Sequence, residues 1–496
     1  TPAAPREQPK KTKRTSAKRS EGVLQQGHVR VERDDSIPNE LRHVLLTANQ
    51  TDAGNAERLV AFTAGDYRYV NGLGDHRWTG THWQHESANE IRHTHLEVMK
   101  LVRHVIEDSG EDKAEKKRWF DFTFRSENLQ RVNGAIELAR SHPDVLLSAD
   151  KLDTDLDTLN TLDGRLNLRT GELMPHDKAA GDTKVAPVHW NLDADSWAVQ
   201  ELLGLLKEDE REPLLQMIAG AALTGRTEKK LWFLIGPSGT AKSTVTSAIA
   251  AILGSYAQNV EATTLLDKQY GGGGPRADLI KLRGARLAVG GEMPTTHGKL
   301  NPGLLKRITG DDWISARAPH QKEEITFRAG FTLVMHANGR PNFDALDSGM
   351  LERVTEIPFR TLPRDPSLPV RDALVEDDEA RAALLLWAAA GALKWYAAGR
   401  KATLPDSVKK ATAEYQHEQD PFAEWADERL VFGKGEWAPT SDLYADYLRW
   451  CDSNGVRHVS GKIAFGRWLG TRPGVSTGDE GRKGRIRGAL GVRLRS

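Results

Sequence analysis

Leu231-Trp232-Phe233-Leu234-Ile235-Gly236-Pro237-Ser238-Gly239-Thr240-Ala241-Lys242-Ser243-Thr244 runs from an unbroken apolar stretch into a glycine-bearing loop, and Val245 to Leu253 continues with helical spacing. The apolar run suits a strand buried on both faces, as in a parallel sheet. Strand, loop and helix in this order aim the loop's backbone N–H groups and the uncapped helix N-terminus at one point, where phosphate oxygens supply the missing acceptors. Lys242 is then expected on the β and γ phosphates of ATP and the Ser243 hydroxyl on Mg²⁺, with Gly236 to Thr244 as the cradle. Ala241 occupies the place of the usual second glycine. A helical φ there costs almost nothing, whereas a positive φ costs about 1 kcal/mol or more.

Two further apolar runs fit the same sheet. Arg286-Leu287-Ala288-Val289 leads to Gly290-Gly291-Glu292, and an acid at such a strand end orients Mg²⁺ and the attacking water. Glu292 is the candidate, with Gly291 where a tandem acid is common. Phe331 to Met335 leads to His336-Ala337-Asn338-Gly339-Arg340, where the Asn338 amide can bond both γ-phosphate and water. Arg353, in Met350-Leu351-Glu352-Arg353-Val354, reads either as a cation for a transferring phosphoryl group or as a salt-bridge partner of Glu352 or another acid.

The totals exclude several classes. Hydrophobic residues make up 39% and charged residues 28% of 496, which fits a multi-domain globular chain of about three domains. Lys+Arg and Asp+Glu are both 69, so no global charge draws the chain to nucleic acid. One cysteine, Cys451, excludes an internal disulfide framework and Cys-rich zinc modules, and its plain reading is a small buried side chain. Lacking an apolar run of spanning length or a signal-peptide centre, the sequence is expected to be cytoplasmic, without membrane contact.

Residues 1–45 read as a basic flexible tail, rich in Lys and Arg up to Arg19. A mixed α/β domain is expected over 46–198, including paired short strands around Leu166 to Leu173. Asp153, Asp155 and Asp157 alternate, as metal-binding carboxylates or as solvated acids of a polar loop. The unit carrying the nucleotide-site candidates is expected over 199–365, a helical segment over 366–415, and a small helical unit with a Gly/Arg-rich wing over 416–496. Period-two alternation in Trp313 to Arg317 and Ile325 to Phe327 predicts a hairpin whose tip carries His320 and Lys322. The C-terminal unit holds Lys462, Arg467, Arg472, Arg482, Lys483, Arg485, Arg487, Arg493 and Arg495, either as a DNA-binding surface or as a solubilising tail.

The succession GPSGTAKST, LRGARLAVGGEMP, LLKRITGDDWISARAPHQKEEITFRAGFTLVMHANGRP and LERVTEIPF resembles the superfamily 3 helicases, specifically the phage/plasmid primase C-terminal family related to the poxvirus primase-helicase. LNTLDGRLNLRTGELMPHD resembles the domain ahead of that motor, and DLYADYLRWCDSNG with IAFGRWLG its winged-helix module. The resemblance implies an AAA+ type α/β motor in a homo-oligomeric ring, commonly a hexamer, with ATP between subunits and single-stranded DNA in the channel. It further implies that Arg353 acts in trans, that Lys306 faces a neighbour's nucleotide, and that His320 and Lys322 grip DNA. For the C-terminal module, with Arg485 and Arg487, it implies duplex or fork DNA. The expected function is an ATP-dependent helicase of phage or plasmid replication in a bacterial host cell. An origin-melting ATPase or a nucleotide-responsive DNA scaffold stands as the alternative. The aspartate and histidine set of a primase is not evident, so primer synthesis is not expected of these residues.

Overall fold

The computed structural model describes residues 37–207, 211–267, 276–291, 293, 298–317, 324–359, 367–456, 459–477, 482–483 and 486–495. Among them no helix is long and apolar enough to cross a membrane.

The fold centres on five parallel strands in the order Val354–Pro358, Leu231–Ile235, Thr332–Ala337, Leu287–Gly290, Ala257–Asn259. Strict alternation sorts their side chains. Trp232, Leu234, Val334 and Ile357 enter one core, and Leu231, Phe233, Leu333 and Met335 enter another on the opposite face. Both faces are therefore covered, which explains why the strands read as continuous apolar runs rather than alternating ones.

The first core lies under helices Trp197–Lys207, Glu212–Leu223, Lys242–Leu253, Leu368–Glu376 and Asp378–Ala397. The expected separate helical segment is thus one layer over this sheet. Its tightest contact is glycine on helix: a Cβ at Gly220 would stand 2.0 Å from the Ala392 nitrogen, and one at Gly391 1.9 Å from the Gln216 carbonyl oxygen. Only glycine permits that approach, which repays its poor helix propensity. On the other face, helix Pro302–Thr309 and the hairpin Trp313–Ala316 with Ile325–Arg328 bury Leu305, Ile308, Ile314 and Phe327.

The amino-terminal part divides differently from expectation. Helix Asn39–Thr47 belongs to the folded domain rather than to a tail extending to residue 45, because Leu45 is fully buried and its carbonyl accepts from Arg58 Nε at 3.0 Å. Five helices and a sheet ordered Trp83–Glu86, Gly74–Trp78, Tyr67–Val70, Leu146–Leu147 enclose a core of their own. The meander Thr158–Asn160, Arg165–Asn167, Leu173–Met174 instead sends Leu159 and Leu166 into the first core of the central sheet.

The last unit runs helix Ala423–Arg429, strand Leu430–Pro439, helices Thr440–Ser453 and Lys462–Gly470, then strands Arg482–Lys483 and Ile486–Leu494, with the long last strand in the middle of the sheet. Phe422, Trp425, Tyr447, Phe465 and Trp468 pack ring against ring in its core, with Trp425 edge to face on both Tyr447 and Phe465, and Trp468 stacked on Phe465; Cys451 is also buried there. Helix Asp406–Gln419 continues past residue 415, sends Val408 and Tyr415 into the two cores of the central sheet, and leads into this unit.

Candidate functional site

Strand Leu231–Ile235 ends at Gly236, whose nitrogen donates to the Ala337 carbonyl at 3.2 Å. A Cβ here would stand 1.8 Å from the Phe359 carbonyl oxygen, so the crossing of the neighbouring chain itself demands glycine. Gly239 has φ 76° and Ala241 φ 65°, and the loop turns back into helix Lys242–Leu253 with no side chain capping it. Ala241 therefore takes the strained alternative, at about 1 kcal/mol. Its buried methyl packs against Leu205, which offsets part of that cost.

Lys242 is buried, and its Nζ donates to the loop carbonyls of Gly236 at 2.5 Å and Pro237 at 2.7 Å and to Thr240 Oγ1 at 3.3 Å. Burial pushes the ammonium below the ordinary lysine range. Ser238 to Thr244 share a cleft with His336, Ala337, Asn338 and Arg371, and Ser243 is exposed into it. Asn338 thus joins the loop as its strand position required. Uncapped helix N–H groups and a lysine held on its own loop's carbonyls make an anion-shaped arrangement.

Two polar cleft residues, His336 and Arg371, were not among the sequence candidates. His336 Nε2 lies 2.7 Å from Thr246 Oγ1, tying the strand to the loop's helix. Burial, with the Lys242 charge adding, pushes its pKa down to about 4, so the imidazole is neutral near pH 7. The two-residue period of a strand puts His336 and Asn338 on one side, a signal present in the sequence. Arg371 comes from helix Leu368–Glu376, beyond the last strand, and no motif pointed to it.

Arg353 and Lys306 lie elsewhere. Val354 pairs with Leu231 in parallel, so Arg353 sits at the start of the strands while the Gly236 to Ala241 loop leaves their far end. Five residues at roughly 3.3 Å each put about 17 Å of strand between them. Arg353 donates from Nε to Thr309 Oγ1 at 3.0 Å and from Nη1 to the Gly349 carbonyl at 2.8 Å. Among the described residues it forms no ion pair, so the Glu352 salt-bridge alternative is not what holds it. Lys306 Nζ bonds Asp347 Oδ2 at 2.5 Å. Burial opposes the charged form of Asp347, but the Lys306 hydrogen bond and charge hold its carboxyl below the usual range. Asp347 caps helix Ser348–Arg353, so the two cations share one patch.

The aspartate series is structural. Asp153 accepts from Thr183 N at 2.8 Å and Asp155 from Arg165 at 2.9 Å. Asp157 accepts from Arg226 Nε at 2.5 Å, Arg169 Nε at 2.9 Å and Tyr396 Oη at 2.6 Å. Among the described residues no acid, His or Cys cluster could hold a metal. In the C-terminal unit Arg472 pairs with Asp420 and Arg493 with Glu436, whereas Lys462, Arg467, Arg487 and Arg495 are exposed. Glu292, His320, Lys322 and Arg485 lie outside the described residues.

Comparison with known proteins matches two of these units. A model described as D5 N terminal like matches residues 56–206, and one described as Poxvirus D5 protein-like matches 417–471. The chain is 24% identical over 273 residues to a putative helicase, 022R, of Frog virus 3, covering 52% of this chain and 28% of that protein. It is 25% identical over 244 residues to the uncoating factor OPG117 of Vaccinia virus, covering 45% and 30%, and 23% identical over 159 residues to primase D5 of Fowlpox virus, covering 31% and 19%. The matches therefore span less than a third of these relatives. The apo structure of the NrS-1 C terminal region aligns with a TM-score of 0.44 at 11% identity, covering 88% of this chain and 98% of that one. Both ahead of the Gly236 to Thr244 loop and beyond it, the chain is thus similar to D5-like proteins of the primase-helicase kind.

Proposed function

We propose that the chain is an ATP hydrolase and DNA helicase of the superfamily 3 kind, a ring-forming AAA+ type motor that moves along single-stranded DNA in phage or plasmid replication, in the cytoplasm of a bacterial host. One observation carries this: the phosphate loop with Lys242 and the patch with Arg353 and Lys306 occupy opposite ends of one sheet. A cation about 17 Å of strand from its own loop serves a triphosphate only if the triphosphate belongs to another copy. The strand order, with the loop on the strand between the first and third positions of the sheet, supports the AAA+ reading.

In this reading Lys242 leaves the loop carbonyls for the β and γ phosphates, and the helix N–H groups take phosphate oxygens. Asn338 orients the attacking water, and a neighbour's Arg353 and Lys306 stabilise charge on the transferring oxygens. Ser243 and Glu292 would hold Mg²⁺, which neutralises developing charge when bound. His320 and Lys322 grip the strand in the channel through its phosphates, with little sequence readout. The C-terminal strand and helix order supports a winged-helix module, whose exposed Lys462, Arg467 and Arg487 suit duplex or fork DNA.

Ala241 in the left-handed region favours a second reading, a nucleotide-responsive scaffold with weak turnover. ATPase assays with and without single-stranded DNA separate the two, and strand displacement on a forked duplex separates a helicase from an origin-melting ATPase. Turnover that DNA stimulates, with strand displacement, is expected. Tight nucleotide binding without turnover would leave the scaffold.

A further inference from the structure

We propose that Trp313, braced by Arg328 on the outer face of the hairpin stem, is the anchor by which one copy of this chain docks on the next, an inference that rests on the shared-site reading above. The two strands alternate cleanly. Ile314, Ala316, Ile325 and Phe327 are buried in the motor core, and Trp313, Ser315, Thr326 and Arg328 face outward. Trp313 is 59% exposed, an expensive position for an indole. The Arg328 guanidinium stands 5.3 Å from its ring centroid and reaches Asp311 at 3.7 Å, while Ser315 and Thr326 pair their hydroxyls at 3.0 Å. The face is thus ordered before any partner arrives.

Continuity with the arginine patch identifies the occupant. Trp313 follows Thr309 by four residues, and the Thr309 hydroxyl accepts from Arg353. At most about 14 Å of chain separates the indole from a residue that must touch a neighbour's triphosphate. Charge argues in the same direction. Arg328 pairs with Asp311, and among the described residues of the stem the exposed cations Arg317 and Arg328 are matched by the exposed acids Asp311, Asp312 and Glu324, so the stem offers no net attraction to a polyanion. An ordered aromatic in a charge-balanced rim is the composition of a protein interface. Stem and tip then serve different partners, the stem a second copy and the tip the strand.

The test uses the full chain with a non-hydrolysable ATP analogue, following assembly by sedimentation velocity across a concentration series. Trp313→Ala should raise the concentration for half-assembly at least about tenfold, as expected for a truncated hot spot. Analogue binding by the unassembled chain and the melting temperature should stay unchanged, since the side chain is exposed and remote from Lys242. Arg328→Ala should shift assembly in the same direction by less. Unchanged assembly of Trp313→Ala overturns the proposal, as does intact assembly with weakened binding of a single-stranded oligonucleotide, which would make the stem a strand-stacking surface. A wild-type chain that stays monomeric with the analogue removes the shared-site reading itself.

Discussion

Gly236→Ala separates what the sheet needs from what the nucleotide needs. The added methyl carbon would lie 1.8 Å from the Phe359 carbonyl oxygen, 2.8 Å from its carbon and 3.1 Å from its Cβ. Ordinary carbon contacts are near 3.5 Å, so strand and loop must part by more than an ångström. The residues on either side are locked, with Phe359 N donating to Ile235 O at 2.6 Å and Gly236 N to Ala337 O at 3.2 Å. Overpacking against backbone belongs at the upper end of the usual range, about 3 kcal/mol. At about 2–4 °C per kcal/mol for a domain of this size, the melting temperature of nucleotide-free protein falls on the order of 6–12 °C. Differential scanning calorimetry without ligand reads this directly. A variant that melts like wild type and loses only nucleotide affinity would refute the steric account.

Asp157→Asn should cost about 2 kcal/mol in chemical denaturation, because the Arg226, Arg169 and Tyr396 donors lose a charged acceptor. The hydrogen bond from Arg226 leads in holding the Asp157 carboxyl well below the usual range, so its contribution is complete above about pH 4 and lost as pH falls further; the variant should flatten that acid limb, and an unchanged limb would contradict it. His336 is held near pKa 4 in the fold and returns to about 6.5 when unfolded, so stability should decline as pH falls between those values. His336→Gln should remove that slope in urea melts taken from pH 7 to 4, and an unaltered slope would mean that the imidazole is not held neutral.

The central sheet was legible because its signals are local: apolar runs, a glycine-bearing loop and an amide just past a strand end lie within a few residues of each other. Asn338 came to the loop for that reason. The hairpin stem was legible because period-two alternation survives wherever one strand face is buried. The amino-terminal boundary was not, since Leu45 becomes core only through helices that follow it by many residues. The role of Asp157 was equally hidden, because its partners Arg226 and Tyr396 come from distant parts of the chain. Arg371 reaches the cleft by tertiary packing alone. The conformation of Ala241 was open to the sequence as two alternatives, and the folded loop takes the strained one.

Mixing two inactive variants tests the shared site most directly. Lys242→Ala removes the phosphate grip and Arg353→Ala the cation at the far end of the sheet, and each alone should hydrolyse ATP at background rate. Because each retains the part the other lacks, equimolar mixtures should recover a measurable fraction of wild-type turnover, from interfaces that combine an intact loop with a neighbour's intact arginine. Mixtures as silent as their components, or an Arg353→Ala variant that turns over normally by itself, would contradict a site built from two copies.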